Sequence, residues 1–225
     1  MSNEVVAFVH AKGASERLPG KNLRILGDRP LFCHAVTNAL GSRMVTKVVV
    51  DSDCDDILNI GKRYGAVPLK RPSELATNVA TGDDLAYWQA SNYPDSEIIV
   101  QVVPTSPFLR PASIDRAVRL VYEKDVDSVV GVFREVFYRW IDSKPSYFCS
   151  NGRIPNSFEM QPIVYETTGL YANRTEFVLE AERRTNPNNC FPCYLSRIEA
   201  IDINYAEDFE FAEIVWRGMQ YQHGE

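Results

Sequence analysis

The sequence predicts an α/β fold, with a mostly parallel central sheet and helices on both faces. Two observations carry that expectation. Short apolar runs such as Val5–Val9 have the length and branched content of strands buried on both faces. Segments of helical length separate successive runs, and a strand–helix–strand rhythm favours parallel pairing. The chain has 225 residues and shows no Gly/Ser linker, low-complexity run or internal repeat, so a single domain over 1–225 is expected.

The elements follow in order. Val5–Val9 is the first strand, and a polar loop with Gly and Pro runs from His10 to Asn22. Pro30 suits the first position of a helix continuing over Leu31–Leu40, with Gly41 as its C-terminal cap. Val45–Val50 reads as a strand, Asp53–Tyr64 as a helix stopped by Gly65, and Ala66–Lys70 as a third strand. A helix is expected over Thr81–Ser91, a buried strand over Ile98–Val103, and a helix opened by Pro111 running to about Glu123. Ser128–Phe133 and Gly169–Ala172 are strand-like, as is Ile198–Ile203, and Glu207–Met219 is the last helix. Residues 135–168 are aromatic, Pro-bearing and weakly periodic, and read as an arm that packs on a second subunit.

Composition excludes several classes. A formal net charge of -6 argues against nucleic acid as the main partner, because phosphate backbones need a basic face. The run at Val5–Val9 is too short for a signal or membrane segment, which predicts no membrane association and a cytoplasmic protein. Five cysteines, an odd count, fit reduced thiols. Cys190 and Cys193 form a lone C-x-x-C without further ligands at zinc spacing, and His10, His34 and His223 are too scattered for a metal cluster or a triad.

Open α/β sheets bind ligands beyond the carboxyl ends of their strands. The loops to inspect therefore follow Val9, Val50, Val103 and Asp202. The first is the most informative. It reads His10-Ala11-Lys12-Gly13-Ala14-Ser15-Glu16-Arg17-Leu18-Pro19-Gly20-Lys21-Asn22. Three cations stand among glycines and small polar residues, a combination that suits phosphate. A Walker A loop is excluded, because six residues separate the glycines and Asn22 stands where Ser or Thr is needed. A solvated basic surface loop is the competing reading; its place directly after the first buried strand favours phosphate.

The stretch A-x-x-x-S-x-R-L-P-G-K-N-L, followed by Pro-Leu and a helix, resembles the acylneuraminate cytidylyltransferase family. Segments agreeing in order are Val50–Asp53, Lys70–Ala76, Pro104–Pro107, Gly169–Tyr171 and Ala200–Asn204 with Glu207-Asp208, so the resemblance spans nearly the whole chain. It implies a Rossmann-like nucleotide-diphospho-sugar transferase fold and a homodimer. The implied reaction joins CTP to a 2-keto-3-deoxy sugar acid, giving a CMP-sugar and pyrophosphate with Mg²⁺, or Mn²⁺ in its place. Carried over by position, Lys21 and Asp202 are the catalytic pair. Ala11, Lys12, Gly13, Ser15, Arg17, Lys21, Asn22, Arg71 and Thr81 would hold the nucleotide. Thr105, Ser106, Gln161 and Tyr171 would face the acceptor, and Asp202 with Asn204 would ligate the metal. Read without the resemblance, Arg71 would pair with Glu74 at the surface, Asp202 would cap a turn and Tyr171 would be core.

The sequence departs from the family at four places. Lys12 stands where Arg is more usual and lacks its bidentate fork. Asn204 replaces an aspartate and can ligate only without charge, which leaves Asp208 or Asp53 to assist. Val103 stands where Gln precedes P-T-S-P. Phe158–Pro162 occupies the place of R-Q-x-L-P, whose Arg recognises the sugar acid, with Arg134, Arg139, Lys144 and Arg153 as candidate replacements. The acceptor is thus a sugar acid of the sialic, legionaminic, pseudaminic, KDN or KDO type. The alternatives are a small phosphonate, another nucleotide, or a nucleotide-binding homologue of weak activity.

Overall fold

A computed structural model describes residues 4–149 and 151–222; His223 lies outside them. The expected alternation is present. β1 (Val5–His10) leads through the polar loop and a small hairpin of β2 (Ile25–Leu26) and β3 (Arg29–Pro30) into α1 (Leu31–Leu40). Then come β4 (Lys47–Ser52), α2 (Asp55–Arg63), β5 (Val67–Lys70), α3 (Gly82–Asn92), β6 (Ile98–Val102) and α4 (Pro111–Lys124). The second half holds β7 (Ser128–Glu135), a hairpin of β8 (Trp140–Ile141) and β9 (Lys144–Pro145), β10 (Ile163–Arg174), α5 (Thr175–Ala181), β11 (Cys190–Tyr194) and α6 (Ala206–Gln222).

Seven strands form one sheet in the order β11-β7-β10-β6-β1-β4-β5. Only β10 runs against its neighbours, pairing antiparallel with both β6 and β7. Alternate residues serve opposite faces, as the strand pleat requires. Val5, Ala7 and Val9 pack with α1, α2 and α4, whereas Val6 and Phe8 pack with α3 and α5.

A third apolar cluster lies off the sheet. Leu18, Leu26, Leu31, Phe108 and Ile203 meet Phe209 and Ala212 of α6. Gly27, at φ 65, turns the β2–β3 hairpin, and a Cβ there would fall 2.0 Å from Trp216 Nε1. The absence of a side chain lets Trp216 close on the hairpin.

Three expectations are corrected. Ile198–Ile203 is turn and loop, with no strand, because Ile203 is drawn into the α6 cluster while its N–H donates to the Thr105 carbonyl at 2.9 Å. The outer strand beside β7 is β11, where Pro192 is tolerated at an edge. Pro30 precedes α1 as its cap with ψ 144, extended because it pairs with Ile25. The strand expected at Gly169–Ala172 is the end of the longer β10, which already begins within the aromatic segment. A register shift lies between Glu166 and Tyr171, where Thr168 holds φ 55.

Candidate active site

A cleft of ≈ 500 Å³ opens at the carboxyl ends of β1, β5 and β6. Lys12, Ser15, Arg17, Lys21 and Asn22 line it from the loop after β1, joined by Arg71, Thr105 and by residues not expected from the sequence, among them His10, Asn78, Ala80 and Leu85. The sheet thus gathers segments far apart in sequence at one end of parallel strands.

The loop after β1 is braced from several sides. The Ala11 N–H donates to the Asp51 carbonyl at 3.0 Å, and the Gly13 N–H to Asp53 Oδ1 at 2.8 Å. Asn22 Nδ2 donates to the Lys12 carbonyl at 2.8 Å, and Lys12 Nζ to the side chain of Asn78. Gly20, at φ 66, turns the chain into the short 3-10 helix Lys21–Leu23. That turn buries the Lys21 stem and sets its ammonium on the Ile203 carbonyl at 2.9 Å. Burial lowers the Lys21 pKa below the usual lysine range; Asp202 opposes this, Arg17 adds to it, Asp208 opposes it and Lys12 adds to it. One of three ammonium donors is used by Ile203.

Arg71 belongs to a buried network. Its Nε donates to Asp51 Oδ1 at 2.9 Å and its Nη2 to the Asp51 carbonyl at 2.9 Å, which leaves Nη1 outside both bonds. Gln89 Nε2 donates to Asp51 Oδ2 at 2.8 Å, and Gln101 Nε2 to Gln89 Oε1 at 2.9 Å. The surface pair with Glu74 is therefore not formed. His10 lies at the same floor with Nδ1 shielded and unpartnered. Its pKa is depressed to about 3, first by burial, then by Arg71 and Arg184, so the ring is neutral at physiological pH.

Beside Lys21, Asp202 presents a mixed picture. Its Oδ2 accepts from Asn204 Nδ2, whereas Oδ1 is buried without a partner. Asp208 Oδ2 is committed to the N–H groups of Asn204 (2.9 Å) and Tyr205 (2.8 Å), and Asp53 to Gly13. Among the described residues no group of three or more His, Cys, Asp or Glu is placed to hold a metal. One free carboxylate oxygen with a neighbouring amide suits a Mg²⁺ that arrives on substrate phosphates, since that ion keeps most of its shell outside the protein.

Several expected residues stand elsewhere. Thr81 is the N-cap of α3 in a capping box with Asp84, so its hydroxyl is spent on the helix. Gln161 lines a separate cavity in the arm with Arg139 and Met160. Ser106 is buried with its Oγ unpartnered, against Gly169. Tyr171 is fully buried with Val130 and Val132, its hydroxyl on Glu166 Oε2 at 3.1 Å and burial pushing its pKa up to about 12. None of the four replacement cations lines the cleft. Arg153 is paired with Glu159, the Arg134 guanidinium lies over Tyr194, and Arg139 and Lys144 sit on the arm. Arg184 was not legible beforehand: it marks the sequence only as part of a polar run.

Residues 6–218 match the family model described as cytidylyltransferase. A CMP-N,N'-diacetyllegionaminic acid synthase of Legionella pneumophila is 31% identical, over 93% of this chain and 94% of the relative. An N-acylneuraminate cytidylyltransferase of Escherichia coli is 37% identical over 53% of this chain; that match spans only 29% of the longer relative. Among solved structures, a CMP:2-keto-3-deoxy-manno-octonic acid synthetase complexed with CTP superposes with a TM-score of 0.73 at 14% identity, covering 96% of this chain and 99% of the other. A 4-diphosphocytidyl-2C-methyl-D-erythritol synthase of Anaerococcus prevotii follows at 0.68 and 11%, covering 96% and 97%. At these identities the two structures speak for the fold.

Proposed function

This chain belongs to the cytidylyltransferase family, and from that premise we propose that it transfers CMP from CTP to a 2-keto-3-deoxy sugar acid, releasing pyrophosphate. The observation that supports this most is the convergence of Lys12, Arg17 and Lys21 on one cleft, with the buried, unpartnered Oδ1 of Asp202 near Lys21. The full-length similarity to a legionaminic acid synthase supports the acceptor class.

The chemistry follows from charge. An acceptor hydroxyl attacks the α-phosphorus, the bond to the pyrophosphate oxygen breaks, and negative charge grows on the leaving group. Lys12, Arg17 and Lys21 meet that charge, and cations fixed before reaction need no reorganisation as it develops. Gly13 and Ser15 bring the loop close to the phosphates, and Arg71, anchored by Asp51, offers Nη1 to the nucleotide. Asp202 and Asn204 would hold Mg²⁺, which supplies Lewis-acid stabilisation of the phosphate oxygens when bound. The protein's own part is to bind, orient and neutralise.

A homodimer is part of the proposal. Phe137, Tyr138, Trp140 and Phe148 expose aromatic surface on the arm, a signature of an interaction face. Free cysteines at all five positions support a reducing, cytoplasmic setting. Among the described residues no helix is long and apolar enough to cross a membrane.

The test is pyrophosphate release with CTP and Mg²⁺ against N-acetylneuraminate, KDN, KDO, legionaminic and pseudaminic acids, and 2-aminoethyl- and hydroxyethylphosphonate. Turnover with a sugar acid is expected. Turnover confined to the phosphonates, or to another nucleoside triphosphate, would replace the proposal.

A further inference from the structure

Arg184 occupies an unusual position. Its guanidinium carbon lies 3.8 Å from the centroid of the Tyr171 ring, covering the residue that the sequence pointed to as an acceptor contact. Its backbone N–H donates to Asp83 Oδ1 at 2.8 Å, pinning the segment before β11 onto the first turn of α3. Gly82 makes room for it: a Cβ there would stand 2.5 Å from Nη1 and 2.6 Å from the guanidinium carbon. Ala80 and Leu85, on either side of Gly82, line the cleft; Arg184 is not itself a lining residue, and its guanidinium packs against Gly82 between them. Its charge reaches the cleft floor, where it helps to keep His10 neutral.

The group also makes no direct ion pair. Among the described residues no carboxylate oxygen lies within ion-pair distance of the Arg184 side chain. The two nearby carboxylates have other partners, Asp83 on the Arg184 backbone and Glu166 on the Tyr171 hydroxyl. A half-buried cation whose neighbouring carboxylates are held on neutral donors lacks a direct ion pair, and a bound anion supplies one. Contact with the Tyr171 ring at 3.8 Å holds the guanidinium in place, and a held fork can grip a carboxylate through two parallel hydrogen bonds. Within its electrostatic reach, the buried Nδ1 of neutral His10 is a second polar atom without a partner among the described residues.

We infer that Arg184 is the specificity-determining residue that recognises the acceptor's carboxylate, a role built on the Tyr171 face and admitted by Gly82. This rests on the cytidylyltransferase reading above. It puts the recognition of the acid on the segment between α5 and β11, and on none of Arg134, Arg139, Lys144 or Arg153.

The test uses the full chain with CTP, Mg²⁺ and the best sugar acid of the panel, and compares that acid with its C1 methyl ester. Arg184→Ala should raise the acceptor KM roughly tenfold to hundredfold, the scale of a charge-assisted hydrogen-bonded contact, and leave the KM for CTP within about twofold. The wild type should prefer acid to ester, and the variant should lose most of that preference. Arg184→Lys, which keeps charge without the fork, should recover part of it. A preference for acid over ester unchanged in Arg184→Ala overturns the inference while leaving the reaction class standing. An equal rise in the KM for CTP overturns it in favour of a phosphate contact. A wild type that turns over no sugar acid sinks the proposed function and this inference together.

Discussion

The Lys21 ammonium donates to the carbonyl of Ile203 at 2.9 Å, joining residues 182 apart in sequence. This contact ties the cationic loop after β1 to the segment carrying Asp202.

Lys21→Met keeps the buried stem and removes the charge. We expect kcat to fall by about 10²–10³, the usual cost of losing one fixed charge donor at a reacting centre, with the thermal midpoint nearly unchanged. Steady-state kinetics beside a circular-dichroism melt decide it; full activity would take Lys21 out of the phosphate site.

Asp202 and Asn204 differ in what they offer a cation. Asn204→Asp adds a charge beside the unpartnered Oδ1 of Asp202 and should lower the Mg²⁺ concentration for half-maximal activity by roughly an order of magnitude. Asp202→Ala should raise it steeply or abolish turnover. A metal titration of both variants reads the effect, and indifference to either change would move the ion elsewhere.

Thr168 is β-branched and held at φ 55, a conformation such residues avoid. Asparagine tolerates this region, so Thr168→Asn should relieve strain and raise Tm by about 2–4 °C, equivalent to about 1 kcal/mol in a chain of this size. A lower Tm by differential scanning calorimetry would mean that the threonine side chain contributes more than its backbone costs.

His10 sets a pH dependence. Its folded pKa of about 3 lies below the ordinary 6.5, so the unfolded chain binds the extra proton first. The stabilisation from keeping it neutral is present above pH 6.5 and is lost progressively as pH falls towards 3. Between pH 6.5 and 5 the wild type should lose about 2 kcal/mol more than His10→Gln, at about 1.4 kcal/mol per pH unit. Parallel urea titrations at the two pH values test this; identical slopes would show His10 to be solvated.

How much was legible in the sequence depended on whether a residue's role was local. β1 and β6 were readable because both faces of a central strand are apolar, and the loop after β1 because its cations cluster within ten positions. Ile198–Ile203 misled because the same apolar spacing serves packing on α6 as well as a strand. Pro192 hid β11, although at a sheet edge a missing N–H costs little. Within the site, Thr81 and Tyr171 were named through the family resemblance, and groups close by in the chain, Asp84 and Glu166, engage their hydroxyls instead. Arg184 matters through Tyr171 and Gly82, each distant in sequence, so no local pattern announces it.

The closure of Trp216 on Gly27 has an optical consequence. The three tryptophans report on three regions: Trp88 on α3 with a buried indole nitrogen, Trp140 exposed on the arm, and Trp216 on α6 with its ring 4.9 Å from that of His34. An indole lodged between an imidazole and a glycine turn changes its surroundings as soon as the last helix lifts. Fluorescence from single-tryptophan variants therefore separates detachment of α6 from movement of the arm and from melting of the sheet, with no label added to the protein.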